Sequence, residues 1–259
     1  MTNQRNGSVV IQLADVSKYY GNIRALSGIN LTVRRGEVTC VLGDNGAGKS
    51  TLIKIISGIH PHDGGVMRLH GKDVRFASPR KALDAGIATV YQDLALVDQL
   101  TVYQNMFLKR ETVRGPLVNN KAMREVARAH LDEMSINIPS VDVPVARLSG
   151  GQRQAIAIAR AVYSEAKILL LDEPLAAMGA KEAAIILDLV RDLKQRGDVS
   201  IIIIAHNYGQ VLEICDRINL LQHGEITFDK PSKDTSVQEL TDIVIEEYRR
   251  ALLERQRTA

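Results

Sequence analysis

"GEVTCVLGDNGAGKSTLIKIISG", Gly36 to Gly58, is the stretch that decides what kind of fold to expect. Its first part, "GEVTCVLG", reads as a buried strand running into a glycine loop. "KSTLIKIISG" then sets apolar residues at helical spacing until Gly58 stops them. A glycine loop between strand and helix leaves bare backbone N–H groups at the helix entrance, where the helix dipole favours an anion. "GDNGAGKS", Gly43 to Ser50, has the Gly-x-x-x-x-Gly-Lys-Ser spacing of a phosphate-binding loop. Its glycines let the backbone wrap a β-phosphate. Lys49 adds a point charge for the β- and γ-phosphates, and the Ser50 hydroxyl suits a Mg²⁺ ligand. The expected triphosphate contacts are Gly43, Asp44, Asn45, Gly46, Ala47, Gly48, Lys49, Ser50 and Thr51.

Outward from this stretch, strand and helix signals alternate. "IATVYQ", "KILLLD" and "SIIIIAH" read as strands. "SPRKALDAG" reads as a short helix with Ser78 as N-cap, Pro79 in the first helical position and Gly86 at the stop. "KEAAIILDLVRDLKQRG" is an amphipathic helix ending at Gly197, and "DRINLLQHGEITFDK" a hairpin turning near His223 and Gly224. This alternation predicts an α/β domain with a largely parallel sheet. "VVIQLADVSKYYG", "INLTVRRGEV" and "GGVMRLHGKDVRF" alternate apolar and polar residues and predict a small antiparallel sheet beside it. From Leu94 to Arg147 the strand signals vanish, and an inserted helical lobe is expected. The tail "SVQELTDIVIEEYRRALLERQR" opens with a capping-box pattern, Ser236 to Glu239, and predicts a surface-packed helix.

Composition narrows the function. Aromatics are 4% with no Trp, and the net charge is only +3, which argues against a nucleic-acid partner. The longest apolar runs, "ILLL" and "IIIIA", fall far below the ~18 residues that cross a bilayer. No apolar run follows a basic start, so no signal peptide is expected, and any work at a membrane goes through a partner. Cys40 and Cys215 have no metal-type spacing and are expected to be free, buried and reduced.

Four residues at strand ends carry the chemistry. Asp172 ends "KILLLD", where a lone buried carboxylate is costly without a charged partner. A Mg²⁺ ion held through water supplies that partner. Glu173, next along, is placed to act as general base for a water attacking the γ-phosphate. The bland alternative is a strand-end acid pair capping the next helix. His206 ends "IIIIAH" at the edge where such sheets bind ligands, although a lone strand-end His is usually structural. Gln92 ends "TVYQ" and could reach the metal or the water. A second anion site comes from "RLSGGQRQAIAIARA", Arg147 to Ala161, with Gly150 and Gly151 at a helix mouth directly after Ser149.

With "LSGGQ" set against the phosphate loop, the sequence resembles the nucleotide-binding subunits of ATP-binding-cassette (ABC) transporters, from about Val9 to Phe228 and with the motifs in the family's order. The resemblance implies a P-loop NTPase (RecA-like) core with a mostly parallel sheet, a small antiparallel β subdomain and an inserted helical subdomain. It implies a single ATPase domain over 1–259, with β subdomain and core in 8–92 and 149–230, the helical subdomain in 93–148 and a C-terminal helix in 235–259. In this family two subunits pack head to tail, and each signature loop grips the γ-phosphate of the ATP bound to the other. Ser149, Gly150, Gly151 and Gln152 are thereby implied to bind the partner's ATP. Tyr20 in "KYYG" matches the aromatic that stacks on adenine, with Tyr19 an adjacent competitor. Gln92 matches the loop that senses the membrane subunit and touches Mg²⁺, Glu173 the catalytic base and His206 the γ-phosphate contact. Ser50, Gln92 and Asp172 form the implied Mg²⁺ set, partly through water, and the helical lobe matches the part that docks on membrane subunits.

One motif departs. Where the family commonly has Ser-Ala-Leu-Asp, this chain has "AAMG", with Gly179 at the Asp position, which puts in doubt the usual polar coupling across the dimer. "GDNGAGKST", "VYQDLAL", "LSGGQRQAIAIARA" and "DEPLAAMGAKE" together look most like the ribose-, xylose- and fructose-type monosaccharide importers. The implied protein is an ATPase using ATP and Mg²⁺, peripheral on the cytoplasmic face of the membrane. It would pair with itself, drive separate transmembrane permease subunits and serve an extracytoplasmic solute-binding protein. The alternatives are another cargo (amino acid, lipid or drug) and a soluble cassette acting on nucleic acid or ribosomes, which usually carries two cassettes or a long coiled-coil insertion. A kinase or GTPase would leave "LSGGQ" unexplained, and the chain has no Asn-Lys-x-Asp guanine reader.

Overall fold

The computed structural model describes residues 7–258. Val38–Leu42 (β3), Ile168–Asp172 (β9) and Ser200–Ala205 (β10) are dominated by apolar residues because both faces of the sheet they form are covered, with Thr39 and Ser200 buried among them. β10 lies between β3 and β9 and parallel to both, with Ile203 opposite Cys40 and Leu171. Ile87–Val90 (β6) continues the sheet in parallel beyond β9, and Arg217–Gln222 (β11) does so beyond β3. Glu225–Pro231 (β12) closes that edge antiparallel to β11, giving the order β12-β11-β3-β10-β9-β6.

Alternate residues of these strands enter two cores. Cys40, Leu169, Leu171, Ile201 and Ile203 face one, with helices Gly150–Tyr163 (α5) and Ala180–Arg196 (α6). Val41, Leu170, Ile202 and Ile204 face the other, with Lys49–Ile56 (α1). That second core is roofed by the small antiparallel sheet, order β2-β1-β4-β5, made of Val9–Tyr20 (β1), Ile23–Arg34 (β2), Gly64–Leu69 (β4) and Lys72–Val74 (β5). Its alternating residues Ile11, Leu13, Leu31 and Val33 are at most 2% exposed. Burying one face of that sheet on the other layer is what its period-two pattern requires.

Between β6 and α5 lies the inserted lobe. Val102–Phe107 (α3) starts from a complete capping box on Thr101 and Gln104, and Asn120–Glu133 (α4) is capped by Asn119. The expectation that strands vanish here is corrected: Val113–Arg114 (β7) and Leu117–Val118 (β8) pair as a small hairpin. Gly115 at φ 62° and Pro116 make its turn, a signal too short to show as alternation. "IATVYQ" is corrected too. β6 stops at Val90, opposite Leu171, and Tyr91 and Gln92 leave the sheet where β9 ends.

The remaining helices are Pro79–Asp84 (α2), Tyr208–Val211 (α7) and Val237–Thr258 (α8). Ser78 caps α2 as its sequence suggests. At α8 the Ser236 hydroxyl accepts from Glu239 N–H at 3.1 Å, but the Glu239 carboxylate turns to Lys230 Nζ at 2.6 Å, so only that half of the capping box is seen. Leu240, fully buried, anchors the start of this helix in the first core.

Candidate active site

The loop between β3 and α1 is held open for an anion by its packing. A Cβ on Gly43 would lie 2.3 Å from the Leu221 carbonyl oxygen, so the backbone there fits against β11 only as glycine. Gly48, at φ 109°, caps α1 without a side chain, and a Cβ there would meet Leu26 at 2.8 Å and the Ala25 carbonyl at 2.9 Å. No acidic residue sits in the first turn of α1 and no side chain caps it, so the N–H groups there remain for a ligand. Lys49 is 6% exposed, and its ammonium donates to the carbonyls of Gly43 at 2.7 Å and Asp44 at 3.0 Å. These residues fit a nucleoside triphosphate's phosphates.

The strand ends bring the catalytic candidates to that loop. Glu173, the residue after β9, has φ 48°, a strained backbone costing about 1–3 kcal/mol that aims its side chain across the sheet edge. Its Oε1 lies 3.8 Å from Lys49 Nζ and its Oε2 3.1 Å from His206 Nδ1. Lys49 from the start of α1 and His206 from the end of β10 thus meet on the carboxylate that follows β9. The Asp172 carboxyl is pushed up first by burial and next by the Glu173 charge, with Lys49 and Lys54 opposing. A group in that position is stabilised as a carboxylate by a cation. The hard oxygens of Asp172 and Ser50 and the Gln92 amide oxygen fit Mg²⁺ chemistry.

The mouth of α5 opens on a cavity that also reaches Gln92 and Glu173. Residues 43–47 line one cavity, with Tyr208, His223, Val244, Glu247 and Tyr248, whereas Gly150 lines another of about 470 Å³ with Gln92, Gln154, Glu173, Met178 and Glu182. Ser149 and Gln152 cap α5 reciprocally: Gln152 N–H donates to Ser149 Oγ at 3.3 Å and Ser149 N–H to Gln152 Oε1 at 3.1 Å. Gln152 Nε2 also donates to the Asn137 carbonyl at 3.1 Å, which ties α5 to the lobe. Tyr20 sits half-exposed at the end of β1, its ring edge-on to His60 at 5.7 Å with Lys18 Nζ 5.5 Å above it. Tyr19 is also exposed, and its N–H donates to Asp63 Oδ2 at 2.7 Å.

Two features escaped the sequence reading. One is the turn after β11. Gly224 N–H donates to Ala47 O of the phosphate loop at 2.9 Å, and Gly224 O accepts from Ser27 N–H of β2 at 2.8 Å. Glu247 of α8 grips that turn, accepting from the Gln222 amide and pairing with His223 at 2.7 Å. The "HG" pair marked a turn, but nothing in it announces a loop partner. The other is Glu182, whose carboxylate reaches across to α5 from the first turn of α6.

A parallel sheet with a glycine phosphate loop after one strand, and a carboxylate beside that loop's lysine after another, is the frame of a nucleoside-triphosphate hydrolase, here with a Ser-Gly-Gly helix mouth directly after an inserted lobe. The family model described as ABC transporter matches residues 26–176, and the chain belongs to that family. It is an ABC-type ATPase. It is 47% identical to the xylose/arabinose import ATP-binding protein of Sulfolobus acidocaldarius, over 92% of this chain and 94% of that one. It is 44% identical to the fructose import ATP-binding protein of Rhizobium meliloti, over 80% and 82%. A dimeric post-hydrolysis ATP-binding cassette bound to ADP and Pi superposes with TM-score 0.72 at 25% identity, covering 86% of this chain and 98% of that one.

Proposed function

We propose that this chain is the ATP-hydrolysing subunit of a monosaccharide importer, working as a head-to-tail pair on the cytoplasmic face of the membrane. The observation that carries the chemistry is the Glu173 carboxylate, set between Lys49 and His206 beside the bare α1 N-terminus. Glu173 takes the proton of the attacking water, Lys49 neutralises the β- and γ-phosphates, and His206 orients the carboxylate and the γ-phosphate. Ser50, Asp172 and Gln92 would hold Mg²⁺, which when bound would neutralise charge on the phosphates. Gly43 to Gly48 and Thr51 wrap the phosphates, and Tyr20 stacks on adenine.

The dimeric cassette that superposes on this chain supports a pairing in which Ser149, Gly150, Gly151 and Gln152 meet the partner's ATP. The capping bonds of Ser149 and Gln152 give them a second duty, fixing the helix mouth. Among the described residues no helix is long and apolar enough to cross a membrane. Separate permease subunits supply the pore, a reading supported by the import ATP-binding names of the relatives. The groove lined by Leu83, Tyr91, Met106, Leu108 and Arg160 lies between core and helical subdomain 93–148, where a permease loop would dock. The sugar assignment rests on the names of the relatives, and an extracytoplasmic binding protein completes the system.

The test is Glu173→Gln. It keeps ATP binding, abolishes turnover and leaves an ATP-closed dimer visible by light scattering. Wild-type turnover in that variant would remove Glu173 as the base. Sugar-stimulated ATPase in membranes holding the co-purified permease separates sugar from other cargo.

A further inference from the structure

The two signature glycines already face an anion from their own chain. Gly151 N–H donates to Glu182 Oε1 at 3.5 Å. A Cβ on Gly150 would lie 3.6 and 3.7 Å from the two carboxylate oxygens, so the carboxylate rests directly over that residue. A Cβ on Gly151 would lie 3.0 Å from the Glu182 Cβ and 3.2 Å from its Cα, which makes Gly151 the point where α5 and α6 touch. The first turn of α5 has no acidic residue, and the charge at its mouth comes from α6. Gly179 gives α6 no side-chain cap, so Glu182 is also the acid of α6's own first turn. One carboxylate therefore lies at two helix N-termini, each of which favours negative charge.

The cleft beside it shows an independent demand for an acceptor. Gln154 is 4% exposed, lines the same cavity as Gly150 and Glu182, and its Nε2 has no hydrogen-bond partner. A buried amide donor left unpaired is costly, and an incoming oxygen would satisfy it.

We propose that Glu182 is a built-in stand-in for the γ-phosphate: it occupies the anion seat at the α5 mouth until the partner's ATP arrives, and ATP must displace it to close the dimer. The inference rests on the reading that this mouth meets the partner's nucleotide. Its consequence is discrimination. ADP brings no γ-phosphate to contest the seat, so Glu182 raises the ATP concentration needed for closure and leaves ADP binding alone. With the nucleotide spent, the carboxylate returns and favours reopening.

The experiment titrates ATP·Mg²⁺ into the full chain carrying Glu173→Gln and follows dimerisation by light scattering, with Glu182 intact or changed to Gln, Ala or Asp. The Gln and Ala variants remove the charge, and Asp keeps it. Expected is a fall of about two- to fivefold in the ATP midpoint for Gln and Ala, the size of a single charge–dipole contact. The Asp variant should stay near the parent, and ADP affinity should be the same in all four. An unchanged ATP midpoint in both Gln and Ala, or an equal shift for ADP, overturns the stand-in and leaves the trans reading intact. If the parent never dimerises on ATP, the trans reading itself falls and the proposal goes with it. Gln preserves shape and acceptor, so for a merely structural Glu182 only Ala would lower the melting temperature, and neither variant would move the ATP-to-ADP ratio.

Discussion

Asn105 shows what one fully buried amide contributes. Its Oδ1 accepts from Val97 N–H at 2.8 Å, and its Nδ2 is shared among the carbonyls of Val97, Leu100 and Thr101 at 3.0 to 3.2 Å. It thereby moulds residues 97–101, on the path from Gln92 to α3, onto one side chain. Asn105→Ala strands those backbone groups without water, and a loss of about 2–3 kcal/mol in urea unfolding is expected. Asp63 works at the other end of the molecule. The Tyr19 N–H, and next the Lys18 ammonium, hold its carboxyl below the ordinary carboxylate range. A depressed acid stabilises the fold above its unfolded pKa and loses that contribution as pH falls through its folded value. The stability gap between wild type and Asp63→Asn should be widest near neutrality and should close below about pH 4. A gap that does not change with pH would show that charge is not what Asp63 contributes.

At the scale of elements, the β11–β12 turn links parts far apart in the chain. It bonds to Ala47 on one side and Ser27 on the other, while Glu247 holds it from α8. Releasing that hold by Glu247→Ala should weaken ATP and ADP binding alike, about three- to tenfold, because the phosphate loop loses a support rather than a ligand. Isothermal titration with both nucleotides checks it, and Glu247→Gln, which keeps an acceptor for the Gln222 amide, should recover most of the loss. The same elements show what could be read beforehand. β3, β9 and β10 were legible because a strand covered on both faces is written mostly in apolar residues without alternation, and α6 because its apolar stripe ends on Gly197, which takes φ 70°. β7, β8 and α7 are two to four residues long, below the length at which any period shows. The meeting of Glu173 and His206 beside the phosphate loop was inferable from two strand ends on one sheet edge and a loop leaving a third. The Glu182 contact was not, because it depends on how closely α5 and α6 approach, which the spacing of neither helix encodes.

On the scale of the whole molecule, one sheet feeds two cores, and its alternate residues divide between them. The helical lobe continues the first core through Met106, Met123 and Leu131, while the small sheet belongs to the second. The phosphate loop thus starts from a strand shared by both layers, whereas the signature helix packs on one alone. The cysteines sit inside this arrangement. Cys40 lies in the centre of β3, and its thiol is pushed well up by burial first and then by a hydrogen bond with the free Cys215 thiol, itself buried. Only the thiolate reacts with electrophiles, and neither sulfur is open to solvent. The native chain should therefore take up no maleimide until it unfolds, and then two equivalents at once, which mass spectrometry would count. A chain that hides all its own thiols is blank to dyes. One cysteine grafted on the exposed side of α4, as in Ala129→Cys, would be the sole labelled point and would let the lobe's movement be watched by fluorescence.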